Sequence, residues 1–276
     1  MSGSDSRDEE DELHDKLALA GRILAGEGLS RVSFGHVSSR SHRSAEIVAL
    51  RGRPRSDRGL EFAAATDVLE MNLDAEVVTG SELSSPRECY IHLEVLRARP
   101  DVSSVVHIHP RVVVALRSAG IALEGIYGAY DPDGVRLARG EIAYYPRPEL
   151  IDTPERGRRL ADALGQKSVC VLDGHGIVTV GDSVELAVLN AIAVCELAQV
   201  TWLAASVGTP HVFDDDVLSE LIPPANKTVA PGGHVGAVMD PRISAWQYWA
   251  ERDRRRAATP AHHAGERDAG LRQCMR

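Results

Sequence analysis

No stretch of this sequence approaches the roughly 18 consecutive apolar residues that a membrane-spanning helix needs. Nor does it open like an export signal, since MSGSDSRDEEDELHD is acidic and polar where a basic start and an apolar centre would be required. Both absences lead to the expectation of a cytoplasmic protein with no membrane partner. Positive charge is short as well. The 31 Lys and Arg are outnumbered by 40 Asp and Glu, a formal net charge of −9, which argues against a nucleic-acid partner held by general electrostatics. It leaves room for an anionic small molecule, because a pocket can be basic locally. Cysteine is scarce too: Cys89, Cys170, Cys195 and Cys274 show no C-x-x-C spacing. Three of them lie in apolar surroundings and are expected to be buried thiols, neither disulfide-bonded nor zinc-bound.

What remains is an ordinary globular composition, 43% apolar and 26% charged over 276 residues, enough chain to bury a substantial core. Residues 1–10 and 257–276 are polar and aperiodic and are expected to be disordered tails, the second carrying His262 and His263. Residues 11–256 then form one domain. ELHDKLALAGRILAGEGL has helical periodicity with a glycine stop. EIVAL and LEFAAAT look like strands flanking the basic loop RGRPRSDRG, which suggests a hairpin. Helices are expected at 86–98, 110–118, 154–165 and 183–206, strands at 103–109 and over SVCVL and GIVTV, and a polar terminal helix over RISAWQYWAERDRRR. Residues 124–152 are expected to be loop or short strand. This mixture, without repeats or an evident linker, predicts an α/β fold with a central, mainly antiparallel sheet.

Two histidines stand one residue apart in SSVVHIHPR. Residues two apart on a strand face the same way, so His107 and His109 share one face while Val106 and Ile108 pack on the other. Such a pair either chelates a divalent ion or merely ends a strand with polar side chains. A third ligand is available in VCVLDGHGIVTVG, where His175 sits in a turn between Gly174 and Gly176; a solvent-facing turn histidine is the alternative. Three imidazoles would leave a divalent ion with an open position, as catalytic sites require. Glu88, in LSSPRECYIHLEVLRARP, is the candidate acid or base. Ser85-Pro86-Arg87-Glu88 also reads as a capping box in which Glu88 only starts a helix. His92, four residues on, shares its helical face and either supports the site or packs in the helix.

Taken in order, GLSRVSFGHVSSR, RECYIHLEVLRARPDVSSVVHIHP and VLDGHGIVTVGDSVELAVLNAIAVCELAQ resemble the landmarks of the class II aldolase/adducin family, from about residue 10 to 208. The resemblance implies an α/β/α sandwich around an antiparallel sheet. It implies one divalent metal ion per subunit on His107, His109 and His175, with Glu88 as the acid–base residue. The metal is expected to be zinc or ferrous iron, with manganese and cobalt as further candidates. Homotetramers with active sites at subunit boundaries are common in the family, and Trp246, Tyr248 and Trp249 of the terminal helix are candidates for an interface or for core packing.

Where sugar-phosphate members hold phosphate, this chain departs: it has Gly35-His36 for Gly-Asn, EFAAATDV for Thr-x-Ser-Gly, and Pro86-Arg87 for Ser-Ser. Too few donors remain to converge on a phosphate. FGHVSSR and RECYIH look more like the branch containing dihydroxyphthalate-type decarboxylases and an iron enzyme of antibiotic pathways. The expected activity is therefore a metal-dependent carbon–carbon lyase, of decarboxylase or aldolase type, on a small carboxylated substrate, with aromatic carboxylates among the candidates. His36, Ser38, Arg40 and Arg87 are the expected substrate-binding residues, arginine being suited to bidentate contact with a carboxylate. The alternatives are a non-haem iron oxygenase that oxidatively decarboxylates a prenylated hydroxyphenylpyruvate, and a non-catalytic adducin-like interaction domain.

Overall fold

Leu13, Leu17, Ala20, Ile23 and Leu24 recur at helical spacing and are all buried, which defines the inner face of α1 (Asp5–Gly26). The computed structural model describes residues 5–78, 82–220 and 241–258. After α1 come β1 (His36–Arg40), β2 (Ile47–Arg51), β3 (Val68–Asn72), α2 (Cys89–Ala98), β4 (Ser104–Ile108) and α3 (Arg111–Ser118). The second half holds α4 (Pro132–Arg136), β5 (Ile142–Tyr145), α5 (Pro154–Leu164), β6 (Val169–Leu172), β7 (Gly176–Gly181), α6 (Val184–Val207), α7 (Asp215–Ser219) and α8 (Pro241–Ala258).

The strands form one seven-stranded sheet in the order β3-β2-β1-β4-β7-β6-β5. Every neighbouring pair is antiparallel except β5 and β6, so the mainly antiparallel α/β sandwich expected from the sequence is what forms. Each face of the sheet buries its own apolar layer. Val37, Val106, Ile108 and Ile177 pack toward α1, α3 and α6, with α8 outside them. Val48, Leu50, Val105 and Val178 pack toward α2 and α5. The alternation along β4 therefore places Val106 and Ile108 on the first side and His107 on the second, as the period of two requires.

Five details differ from the sequence expectations. Helix α1 begins at Asp5, within the stretch read as a tail, and buried Glu10 accepts from Ser41 Oγ at 2.9 Å, which anchors that end. LEFAAAT is not a strand: Leu60–Phe62 and Ala65–Asp67 are short 3-10 turns, and the Asp67 carboxylate accepts from the Ala64 N–H, a local bond that competes with extended backbone. The hairpin partner of β2 is β3, with Ala49 opposite Glu70. His36 lies on a strand that the sequence expectations did not include, β1, pinned between β2 and β4. Finally, α6 is long and apolar enough to cross a bilayer by length and composition; 56% of that window is buried inside the fold, against α1, α3 and β7. It serves as the central helix of its layer.

Trp246 and Trp249 of α8 pack on the chain's own core, while Tyr248 is exposed. Cys89, Cys170 and Cys195 are free and buried. His262, His263 and Cys274 lie outside the described residues.

Candidate metal centre

The centre is assembled by strand register and two tight turns. Antiparallel pairing sets His36 of β1 directly opposite His107 of β4, and pairs Ile108 with Ile177 across β7. That pairing brings the β6–β7 turn, with His175, beside the end of β4. Gly174 turns the chain with φ +67°, and Gly176 permits the close approach: a Cβ there would lie 2.3 Å from the Ile108 carbonyl oxygen and 3.0 Å from His109 Cδ2. Glu88 enters from the other layer, as the residue that precedes α2.

The rings of His107, His109 and His175 form a near-equilateral triangle, with centroids 4.7, 4.9 and 4.8 Å apart and all edge-on to one another. His107 Nδ1–H donates to the Ile177 carbonyl at 2.9 Å, which leaves the Nε2 lone pair facing inward. His109 Nε2 lies 2.9 Å from His107 Nε2. Glu88 Oε1 is 3.4 Å from His175 Nε2, and Oε2 is 3.7 Å from His107 Nε2. One ligand-type atom from each of Glu88, His107, His109 and His175 lies within 4.8 Å of the others.

This arrangement fits a divalent cation. Both ring nitrogens of His175 are buried without a hydrogen-bond partner among the described residues, an expensive state for imidazole unless a ligand satisfies it. Burial holds His107 and His109 below the ordinary histidine range, His109 at about 3, so both rings present neutral lone pairs at neutral pH. Burial pushes the Glu88 carboxyl up, but the adjoining imidazoles of His107 and His175 and the hydrogen bond from the Ile151 N–H outweigh it and hold the group well below the carboxylate range. A second group, Glu10, His14 and Glu70, also brings ligand-type atoms within 4.8 Å, but there Arg43 pairs with both carboxylates.

The capping box does not form. Helix α2 starts at Cys89, with Glu88 as its N-cap residue and no side-chain cap. The Glu88 carboxylate instead turns to the histidines and accepts from the Ile151 N–H at 2.9 Å. His92, fully buried one turn on, has Nδ1 2.7 Å from Ser38 Oγ. The rings of His36 and His92 lie 5.6 Å apart, and His36 lies 5.8 Å from His107. His36 and Ser38 thus form a buried layer behind the centre.

The two expected arginines are elsewhere. Arg40 donates to the carbonyls of Val102, Ala45, Leu96 and Arg99, and so ties the end of β1 to the start of β4. Arg87 is exposed and pairs with Asp152 at 3.2 Å. A residue the sequence reading passed over is nearer: Arg53 Nη2 donates to His36 Nε2 at 3.0 Å. Phe34 was passed over too, and its ring stacks on His109 at 5.4 Å. The signal available for both was their position beside Gly35-His36 and in the basic loop after β2.

The pattern of the Class II Aldolase and Adducin N-terminal domain family matches residues 15–202. The chain is 40% identical over 196 residues to 3,4-dihydroxyphthalate decarboxylase of Arthrobacter keyseri, covering 70% of this chain and 78% of that protein. It is 36% identical over 211 residues to the 3,4-dihydroxyphthalate decarboxylase of Rhodococcus jostii (strain RHA1), covering 75% and 86%. Among solved structures, an aldolase II superfamily protein from Pseudomonas syringae superposes with a TM-score of 0.73 at 21% identity, covering 90% of this chain and 94% of that one. Adducins and sugar-phosphate aldolases match with lower identity.

Proposed function

This chain belongs to the class II aldolase and adducin family, as a metal-dependent lyase nearer to the decarboxylases than to the sugar-phosphate aldolases, and we propose that it removes CO2 from a small hydroxylated aromatic carboxylate. The observation that carries this reading is the convergence of Glu88, His107, His109 and His175 from three separate segments of the chain. The three histidines would hold one divalent ion per subunit, zinc before ferrous iron, manganese or cobalt, because three neutral imidazoles match the usual catalytic zinc donor set. When bound, such an ion supplies Lewis-acid stabilisation to charge that develops on a substrate oxygen.

The chain's own residues handle the proton. Glu88 is ionised in this state, so it first accepts the proton of a ring hydroxyl. It then returns that proton to the ring carbon bearing the carboxylate. The bond to CO2 breaks, its electron pair restores the aromatic ring, and the phenolate left behind regains a proton from water. His107 is kept in register by its bond to Ile177, and His36, Ser38 and His92 fill the space behind the centre with protein instead of bulk water. The same reading makes the protein a homo-oligomer, a tetramer, which exposed Trp202, Leu203 and Val207 on α6 support. Light scattering tests that part, a monomer mass near 29.8 kDa being the outcome that rejects it.

The experiment is anaerobic purification with metal analysis, followed by CO2 release from 3,4-dihydroxyphthalate. Release without oxygen, at near one metal per chain, is expected. No release, together with oxygen consumption in the presence of a hydroxyphenylpyruvate and iron, would replace this reading with the oxygenase.

A further inference from the structure

A carboxylated aromatic substrate needs a cation and an aromatic or apolar surface near the reacting atoms, and neither Arg40 nor Arg87 supplies the first. Arg53 stands in their place. Its Nη1 donates to Asp57 Oδ2 at 2.7 Å and to the Ser33 carbonyl, and its Nη2 donates to His36 Nε2. Guanidinium has five N–H groups, so these three bonds leave one on Nη2 and the one on Nε without a partner among the described residues. The side chain is a quarter exposed. It is thus a fixed charge with unspent donors, adjoining the ring layer that backs the metal centre.

Phe34 is the second half. The residue is 55% exposed although its ring lies against the candidate ligand His109 with an interplanar angle of 25°. One exposed aromatic side chain is ordinary on a protein surface; what sets Phe34 apart from exposed Phe62 is that its ring stacks on a candidate metal ligand. The backbone holds it there deliberately tightly. The Phe34 N–H bonds the Arg31 carbonyl at 3.1 Å, Ser30 Oγ donates to the Phe34 carbonyl, and Arg53 grips the Ser33 carbonyl. Val32 takes φ +55°, a conformation that β-branched residues adopt only when their surroundings force it.

We propose that Phe34 and Arg53 together read the substrate. The exposed part of the Phe34 ring packs on the substrate ring, and the free edge of Arg53 takes a second anionic group, the one that is not lost as CO2. The inference rests on the decarboxylase reading and narrows it: the preferred substrate carries two anionic groups on one ring. Bidentate guanidinium–carboxylate contact supplies directional selectivity that an ammonium does not reproduce, and ring stacking supplies affinity that is indifferent to charge.

The two contributions separate by ligand. Full-length, metal-loaded protein is titrated calorimetrically with phthalate, an anionic ring that does not react, and with neutral catechol. Arg53→Lys is expected to weaken phthalate by about tenfold and leave catechol within about twofold. Phe34→Leu is expected to weaken both by about fivefold. Unchanged catechol binding by Arg53→Lys reports that the site is still folded. The inference is overturned if phthalate does not bind the wild type, or if either variant binds it as tightly as wild type does. CO2 release from 3,4-dihydroxyphthalate by the same wild-type preparation is scored separately. Weakened phthalate binding in both variants with no CO2 release keeps the pair and removes the decarboxylase reading.

Discussion

Asp57 accepts from Arg51, Arg53 and the Gly59 N–H. Burial pushes its carboxyl up, but the two guanidiniums outweigh that and lower it to about 2. A carboxyl lowered on folding contributes stability that is present above its ordinary value and is lost as pH falls toward the folded one. Asp57→Asn should therefore cost about 1–2 kcal/mol in urea unfolding at pH 7, with the difference from wild type shrinking below pH ~4 and mostly lost as the pH falls through ~2. The sequence displayed RGRPRSDRG only as a charged loop. That Arg51 is buried and that Asp57 neutralises two arginines depend on folding. Glu88 presents the opposite case, because its residue type and neighbourhood were informative but its partner was not. A Ser-Pro-x-Glu run suits a capping box, and the competing attraction of two imidazoles and the Ile151 N–H is invisible until the sheet exists. Ser85→Ala should accordingly change stability by less than about 0.5 kcal/mol, where a real cap would cost ~1. Glu88→Gln should retain metal by elemental analysis and lose about 10²–10⁴ in kcat.

Among elements, β4 was readable because its period of two is strict and its apolar face is unbroken. Strand β1 was not, since HVSSR has one apolar residue and follows a glycine. Its strand character comes from being paired on both edges, a tertiary effect that overrides weak local preference. The same placement occupies Arg40: at the end of β1 its guanidinium donates to backbone carbonyls of the β1–β2 turn, the last turn of α2 and the run into β4. The β6–β7 turn was legible as G-H-G, but the reason for the second glycine emerges only from the neighbouring strand. Gly176→Ala would drive a methyl group into the Ile108 carbonyl, so the turn must shift and carry His175 with it. The expected result is a loss of about 2–3 kcal/mol with metal stoichiometry well below one, measured by thermal unfolding and elemental analysis.

For the whole molecule, the sandwich places its three histidines on one strand, just past the end of that strand and in a turn of the same sheet, and its carboxylate at the mouth of a helix from the second layer. Anything that binds the folded arrangement alone stabilises the whole fold by mass action. Chelation should lower the unfolding midpoint by roughly 5–10 °C, the shift expected for ~2.7 kcal/mol, the figure for a ligand held at about a hundred times its dissociation constant. A midpoint indifferent to chelator would mean that the four side chains hold nothing. The bond between Glu88 Oε1 and the Ile151 N–H has a further bearing on turnover. Ile151 heads the short run into α5, next to Asp152, which Arg87 and Arg156 both grip. With Glu88 carrying the proton as proposed, taking it up would slacken the hold on that amide and giving it away would tighten it. One side chain would then serve as both reagent and latch, and the chemistry would beat time for the segment beside it.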